Sequence, residues 1–208
     1  GSIKCFADGA LGPQTAAMLE PYAQDPANRG TLLLTAPEIL ETGIKAAANG
    51  FGLAIHAIGD RATQEVLQGF NLLRKYETEH GMPHPRHRIE HLQLLHSANL
   101  GRAAALRITA SMQPVHLYND IETATRHWGA RCRYAFPLAS LLSNGTKMIF
   151  GSDAPVESPN PFWGIHAATA RCKRGKDPRE AAWIPDERIM VMEALQGYVR
   201  VPHWQSGQ

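Results

Sequence analysis

The sequence has few cysteines and no long apolar run, and both scarcities narrow the class of protein. Its three cysteines, Cys5, Cys132 and Cys172, lie far apart and form no CxxC motif, which excludes a disulfide framework or a zinc-finger pattern. A reducing compartment such as the cytoplasm is therefore expected. No stretch reaches the ~18 apolar residues that a membrane-spanning helix needs, and the start lacks the basic and apolar regions of a secretory signal. We expect no membrane attachment.

A large excess of charge of one sign is also lacking. The 208 residues carry 21 Lys and Arg against 19 Asp and Glu, a formal net charge of +2, and so small and scattered a charge does not predict nucleic-acid binding. The one local basic cluster, residues 171–174, is predicted to be a solvated helix end. With 44% apolar residues, the chain is predicted to fold as a globular domain with a substantial core.

Short apolar segments alternate with segments of helical spacing along most of the chain. Strands are predicted at residues 3–7, 53–57, 87–90, 108–112 and 147–150. Helices are predicted at residues 36–48, 61–76, 97–106, 134–143, 161–172 and 185–199. Strands separated by helices favour parallel β/α units. Because a closed eight-stranded barrel typically takes about 250 residues, five strands fit either an open doubly wound sheet or the later part of a TIM-type barrel.

Three of the apolar segments end on a side chain that binds metals well. These side chains are His56, His91 and Asp153. In a barrel of parallel strands the carboxyl ends converge on one mouth, so the three groups are expected to meet although they are far apart in sequence. The sequence therefore predicts a metal site there. A long loop rich in Gly, Pro and Ala, residues 8–30, is expected to line that mouth or cover it.

Five motifs carry a resemblance to a known family. They are KCFADG (4–9), HAIGDRA (56–62), RIEH (88–91), SMQPVH (111–116) and GSDAPVE (151–157). In this order they resemble the YtcJ-like branch of the amidohydrolase superfamily, which is amidohydrolase family 3. The resemblance runs from the fourth strand of that family's barrel to the helices after its eighth strand, and it implies a TIM-type barrel of which this chain supplies strands 4 to 8.

The resemblance also implies roles for four residues. Lys4 would be carboxylated and bridge two divalent metals, most simply zinc, while His56 and His91 would bind metal. Asp153 would bind metal and act as the catalytic base that takes a proton from the attacking water. These roles are chemically sensible, because a carbamate supplies anionic oxygens and neutral imidazole is a common zinc ligand. The implied reaction is hydrolysis of a non-peptide carbon–nitrogen bond in a small amide or formamide substrate.

The sequence departs from that family's pattern at one point. No two histidines are separated by a single residue, whereas members normally carry a His-x-His pair on the first strand. We therefore expect residues 1–208 to be a partial barrel domain that lacks the first three strands and the small β domain. The isolated chain is expected to be inactive and to associate with itself or with the missing N-terminal part.

Several further residues have more than one interpretation. Gln113 and His116 are candidate substrate contacts, or they belong to a polar loop that satisfies its own backbone. Trp163 is a packing residue or a wall of the substrate pocket, and Asp60 is a predicted helix cap. The other histidines, His87 among them, are expected at surface, loop or helix positions. Two alternatives stay open: a mononuclear deaminase-like hydrolase, and a non-catalytic barrel remnant acting as an assembly module.

Overall fold

A computed structural model describes residues 1–207, which form one parallel five-stranded sheet in the order β1-β2-β3-β4-β5. The strands are β1 Ser2–Phe6, β2 Gly52–Ala57, β3 Arg88–His91, β4 Thr109–Met112 and β5 Met148–Phe150. Each predicted strand is therefore confirmed to within about a residue at either end. Because all four strand pairings are parallel, the carboxyl ends lie along one edge, as a barrel wall requires.

Nine α-helices are described within residues 1–207. They are α1 Ala36–Ala48, α2 Asp60–Glu79, α3 Arg102–Ala105, α4 Leu117–Trp128, α5 Leu138–Ser143, α6 Pro161–Ala170, α7 Pro178–Ala181, α8 Val191–Tyr198 and α9 Arg200–Ser206. None of the described helices is both long and apolar enough to cross a membrane.

Helices α1 and α2 cover the sheet on one face and pack closely on each other. Glycines lie at their crossing: a Cβ added to Gly69 would come 2.6 Å from the Cβ of Ile39, and one added to Gly43 would come 2.4 Å from Leu73. Helix α1 begins where expected, since the Glu38 carboxylate accepts hydrogen bonds from the backbone N–H and the hydroxyl of Thr35. These contacts fix the two helices over a core that includes Leu53, Ile55 and Ala57 of β2.

The register of the sheet lines up one row of side chains across its other face. Phe6 pairs with His56, His56 with Glu90, and Glu90 with Ser111. The row is covered unevenly: Phe6 is 55% exposed whereas His56 is buried. Among the described residues β1 and β5 are the edges of the sheet. The face of the sheet opposite α1 and α2 therefore carries polar side chains, whereas the face under these helices is apolar.

Several helices differ from the sequence prediction. The predicted helix 97–106 is split into a 3₁₀ turn at Ser97–Asn99 and the short α3. Helix α4 was not predicted, and α5 begins only after Pro137, because proline disfavours a helical residue before it. The predicted helix 185–199 is a 3₁₀ turn at Pro185–Glu187 followed by α8.

The basic cluster at residues 171–174 is only partly a solvated helix end. Arg171 is fully buried, and its guanidinium donates hydrogen bonds to the carbonyl oxygens of Ala135, Phe136 and Trp183. The guanidinium therefore provides hydrogen-bond donors for backbone carbonyls in two loops, where no helix or strand provides them. A planar group with five N–H donors suits this task, and the sequence pattern alone does not reveal it.

Candidate metal centre

A cavity of about 500 Å³ opens at the carboxyl ends of the strands. Four residues predicted as metal ligands, Lys4, His56, His91 and Asp153, all line it. Its remaining lining residues are Phe6, Ala10, Leu11, Gly12, Ile58, Gln93, His116, Asp120 and Val156. The strand pattern predicts that His56, His91 and Asp153 converge, and all three line this cavity together with Lys4, which only the family resemblance indicates.

His56 ends β2 with its ring held by the loop that follows β1. Its Nε2 lies 2.8 Å from the carbonyl oxygen of Gly9, and a carbonyl can only accept, so Nε2 carries the proton in the neutral ring. Burial lowers the pKa of His56 below its usual range, which favours that neutral ring. Nδ1 is then the nitrogen with a free lone pair, and the Gly9 carbonyl sets this tautomer.

Asp8 is the buried anchor of the same loop. Its carboxylate accepts hydrogen bonds from the backbone N–H groups of Ala17, Ile58 and Gly59 at 2.8–3.0 Å. Burial raises the pKa of Asp8 to about 6, although the three hydrogen bonds oppose that rise. Oδ1 also lies 3.6 Å from Nε2 of His56. Asp8 therefore ties the loop after β1 to the end of β2 and fixes the position of the His56 ring.

His91 reaches the cavity through an unusual backbone. A regular strand would point residues 90 and 91 to opposite faces, but His91 and Leu92 have φ angles of 71° and 44°. Such left-handed residues cost of order 1–3 kcal/mol each and concentrate at functional sites. The His91 ring lies 4.5 Å from the His56 ring, centroid to centroid. Burial, together with the neighbouring His56, lowers the pKa of His91 to about 4, so its ring is neutral at pH 7.

His116 and Asp153 complete a cluster with His91. One ligand atom from each of the three lies within 4.8 Å of the other two. Ligand atoms of one tetrahedral zinc lie about 3.3–3.6 Å apart, so side-chain adjustments of about 1 Å would bring the three onto one ion. Burial lowers the pKa of His116, and Asp153 is held with a φ of 55° after β5. Two neutral imidazoles and a carboxylate are a donor set that suits a divalent metal.

The other predicted site residues lie further from this cluster. Lys4 is on β1, its ammonium 5.1 Å from the centre of the Phe6 ring. Gln113 is buried and donates to the carbonyl of Ser111 at 3.3 Å, and it does not line the cavity. Trp163 lines a separate depression of about 290 Å³ beside the cavity, with the Arg174 guanidinium 3.7 Å from its ring. The structure therefore places His116, but not Gln113 or Trp163, in the cavity.

Two polar residues of the cavity were missed by the sequence reasoning. Gln93 donates from its amide nitrogen to Asp120 Oδ2, and burial raises the pKa of Asp120 to about 6. Asp120 lies in α4, which the sequence reasoning missed although Leu117, Ala124 and Trp128 recur at helical spacing and indicate a helix. Asp60 was expected to cap α2, but the cap position is Gly59 and the Asp60 carboxylate accepts from the backbone N–H of Leu19 at 2.8 Å.

The histidine just before β3 also corrects an expectation. His87 was expected at a surface, loop or helix position, but it is fully buried. Its Nδ1 accepts a hydrogen bond from the backbone N–H of Leu53 at 2.9 Å, and its Nε2 lies 3.1 Å from the Glu77 carboxylate. Both nitrogens are used, so His87 has a structural role in binding α2 to the sheet.

Three curated proteins are similar to the chain. It is 34% identical over 197 residues to Protein LONG AFTER FAR-RED 3 of Arabidopsis thaliana, covering 94% of this chain and 33% of that protein. It is 34% identical over 200 residues to putative amidohydrolase YtcJ of Bacillus subtilis, covering 95% and 36%. It is 25% identical over 210 residues to N-substituted formamide deformylase of Arthrobacter pascens, covering 100% and 37%. The chain thus spans about a third of the length of these relatives.

A solved structure agrees with the sequence comparisons. An uncharacterized metal-dependent hydrolase from Pyrococcus furiosus superimposes with a TM-score of 0.81 at 32% identity, covering 98% of this chain and 39% of that one. The parallel sheet of this chain, with histidines and an aspartate at its carboxyl edge, has the fold of the corresponding part of that metal-dependent hydrolase. The amidohydrolase family matches residues 1–208, and the chain belongs to that family.

Proposed function

We propose that this chain supplies the metal-binding wall of a hydrolase that cleaves a non-peptide carbon–nitrogen bond in a small amide, such as an N-substituted formamide. The observation that carries the proposal is the convergence of His56, His91 and Asp153 with Lys4 on one cavity. Family membership supports the hydrolytic class, and the name of the Arthrobacter pascens relative supports the bond type.

His56, His91 and Asp153 are the residues that would hold a divalent metal, with zinc suited to this mixture of nitrogen and oxygen donors. When bound, such an ion lowers the pKa of water toward about 7 and polarises a carbonyl. Lys4 is proposed to be carboxylated, because an ammonium has no lone pair to offer a cation whereas a carbamate has anionic oxygens. Two ions would then share the site.

Asp153 has the chemistry of the proton carrier in this arrangement. Its side chain is exposed to the cavity, and a carboxylate oxygen within reach of a water can accept a proton and later return it to the leaving nitrogen. The neutral rings of His56 and His91 cannot accept that proton without giving up the lone pair a metal needs. Leu11, Ile58 and Val156 line the same cavity, so part of a substrate would be held away from water.

The experiment is hydrolysis of N-substituted formamides by the complete gene product, with and without added zinc. We expect activity that a chelator removes and that zinc restores. Asp153→Asn should lower kcat by at least ~100-fold, the lower end of what a general acid or base contributes. Asp186→Asn is the matched control, because Asp186 is exposed and does not line the cavity. Equal activity of Asp153→Asn and wild type would contradict the proposal.

A single-ion hydrolase of the deaminase type is a second candidate. It is favoured by the grouping of His91, His116 and Asp153, which forms without Lys4 or His56. Metal analysis separates the two: two ions per chain, one of which is lost on Lys4→Ala, support the binuclear site. One ion that survives Lys4→Ala but is lost on His116→Ala supports the mononuclear site.

We also propose that further strands, from outside these 208 residues or from another chain, pair with β1 and β5. The exposed Phe6 on the polar face of β1 supports this, as does the greater length of the relatives. The three free cysteines fit a reducing compartment such as the cytoplasm.

A further inference from the structure

The catalytic cavity contains one polar pair that the proposed hydrolysis does not use. Gln93 and Asp120 both line it, and the Gln93 amide nitrogen donates to Asp120 Oδ2. Gln93 is only 3% exposed, so the pair is held in the wall and does not belong to a mobile surface.

The chain places this pair next to the metal-binding side chains. Gln93 follows His91 by two residues, and Asp120 follows His116 by four, which is one helical turn. Both histidines line the same cavity. Because one cavity of about 500 Å³ is lined by both histidines and by Asp120, a substrate bound at the histidines would extend toward Asp120.

The Oδ1 atom of Asp120 is available to accept a hydrogen bond from a ligand. Within residues 1–207 its hydrogen bond from Gln93 uses Oδ2, and no protein group donates to Oδ1. A carboxylate is an acceptor only, so the group it prefers is a donor, and hydrogen bonds to charged partners are the stronger ones. The nearby Glu157 adds negative charge at this end of the cavity.

We infer that Asp120 Oδ1 binds an ammonium group of the substrate, and that Gln93 is the positioning residue that orients the carboxylate. This inference rests on the proposed function and specifies its substrate class: small amides or formamides that carry an amine a few bonds from the scissile carbon–nitrogen bond. Neutral analogues of equal size would be poorer substrates, because they leave Asp120 without a partner in a partly desolvated site.

The test compares two N-alkyl formamides of equal length, one ending in an ammonium group and the other in a methyl group. Wild type should prefer the ammonium substrate in kcat/KM. Asp120→Asn should lower kcat/KM for that substrate ~10- to 100-fold, the range expected for a hydrogen bond to a charged group, and change the methyl substrate less than about 3-fold. Glu122→Gln is the matched control, because Glu122 lies on the same helix with an exposed side chain, and it should change neither.

Gln93 is tested by the same ratio of substrates. Gln93→Met removes the N–H donor at similar volume and should reduce the preference for the ammonium substrate, whereas a purely structural role would lower both substrates equally. An equal fall for both substrates in Asp120→Asn would overturn the inference, since it would assign Asp120 a structural role.

A binding measurement separates this inference from the proposed reaction. Binding of n-butylammonium and of n-butanol to the zinc-loaded gene product is measured by NMR titration. The inference predicts at least ~10-fold tighter binding of the ammonium ion in wild type and loss of that difference in Asp120→Asn. Failure to hydrolyse either formamide while this difference persists would contradict the proposed function alone. Absence of the difference in wild type would contradict the inference.

Discussion

Two histidines at opposite ends of β3, the fully buried His87 and the partly buried His91, have contrasting surroundings. His87, just before the strand, has hydrogen bonds to both ring nitrogens, from the Leu53 N–H and with Glu77. His91, at the strand's end, lines the cavity, and no protein group in residues 1–207 bonds to its ring. Burial lowers the pKa of both. A lowered pKa therefore does not by itself mark a functional histidine. A ring nitrogen that has no protein partner and faces a cavity is the better indication of a functional histidine.

The largest effect is expected from removing the satisfied histidine. His87→Leu leaves Glu77 Oε1 and the Leu53 N–H without their partner, while Arg74 still donates to Glu77 Oε2. Each buried polar group left unsatisfied costs about 1–3 kcal/mol. The free energy of unfolding from urea denaturation should fall by this amount for each of the two groups. Activity per folded molecule should stay within about 2-fold. As a control, His203→Leu, at an exposed position, should change the free energy of unfolding by less than about 0.5 kcal/mol and leave the activity unchanged. If His87→Leu lost activity without losing stability, the structural role assigned to His87 would be wrong.

The complementary change is His91→Asn. It removes a nitrogen that we propose binds metal. Since loss of an outer partner of a metal ligand already costs about 10- to 100-fold, we expect zinc affinity and kcat/KM to fall by at least ~100-fold. Stability without metal should change by less than about 1 kcal/mol, because the ring lines a cavity. Calorimetric zinc titration and urea denaturation measure the two quantities. A variant that lost stability but bound zinc normally would assign His91 the role given to His87.

Asp8 lies between these two cases. Asp8→Asn replaces one carboxylate oxygen by an NH₂ group that faces one or two of the three backbone N–H donors, so the free energy of unfolding should fall by about 1–3 kcal/mol. Zinc affinity should fall about 10- to 100-fold through misplacement of His56. Asp25→Asn, in the same loop, is the control, since Asp25 is only partly buried and makes one local contact to Ala27. Unchanged zinc affinity in Asp8→Asn would show that Asp8 serves the loop alone.

The smallest effect is a pH dependence of the His87 contribution. Burial lowers the pKa of His87 in the folded state below the ordinary 6.5, so the unfolded chain binds a proton first on acidification. The stabilisation is complete above about pH 6.5 and is lost as the pH falls, with a limiting slope of about 1.4 kcal/mol per pH unit. The difference in unfolding free energy between wild type and His87→Leu should therefore shrink from pH 7 to pH 5. A difference that grew over this range would contradict the assignment of a neutral buried ring.

The sheet and part of the site could be predicted from the sequence for a simple reason. Buried parallel strands are short apolar runs, and a ligand at the end of a strand interrupts that run, so His56, His91 and Asp153 are visible as exceptions. Lys4 was identified only through the family resemblance, because a lysine at a strand end has no distinctive pattern.

What could not be predicted depends on contacts between distant segments. His116 joins the His91 and Asp153 cluster only because α6 and the loop after β5 fold over the 3₁₀ turn at Pro114–His116. Asp120 is a different case, because the apolar residues of α4 do recur at helical spacing and the helix could have been predicted. His87 and Arg171 were misjudged because their burial is decided by partners 10 or more residues away. Local patterns carry no information on such partners.

The central claim is that the side chains at the carboxyl edge of the sheet share one metal site. Anomalous diffraction at the zinc edge, from crystals of the protein grown with zinc, tests it most directly. The account predicts a peak in the cavity with nitrogen or oxygen atoms of His91 and Asp153 at about 2.0–2.2 Å. Zinc bound only outside this cavity, with His91 and Asp153 left without an ion, would contradict it.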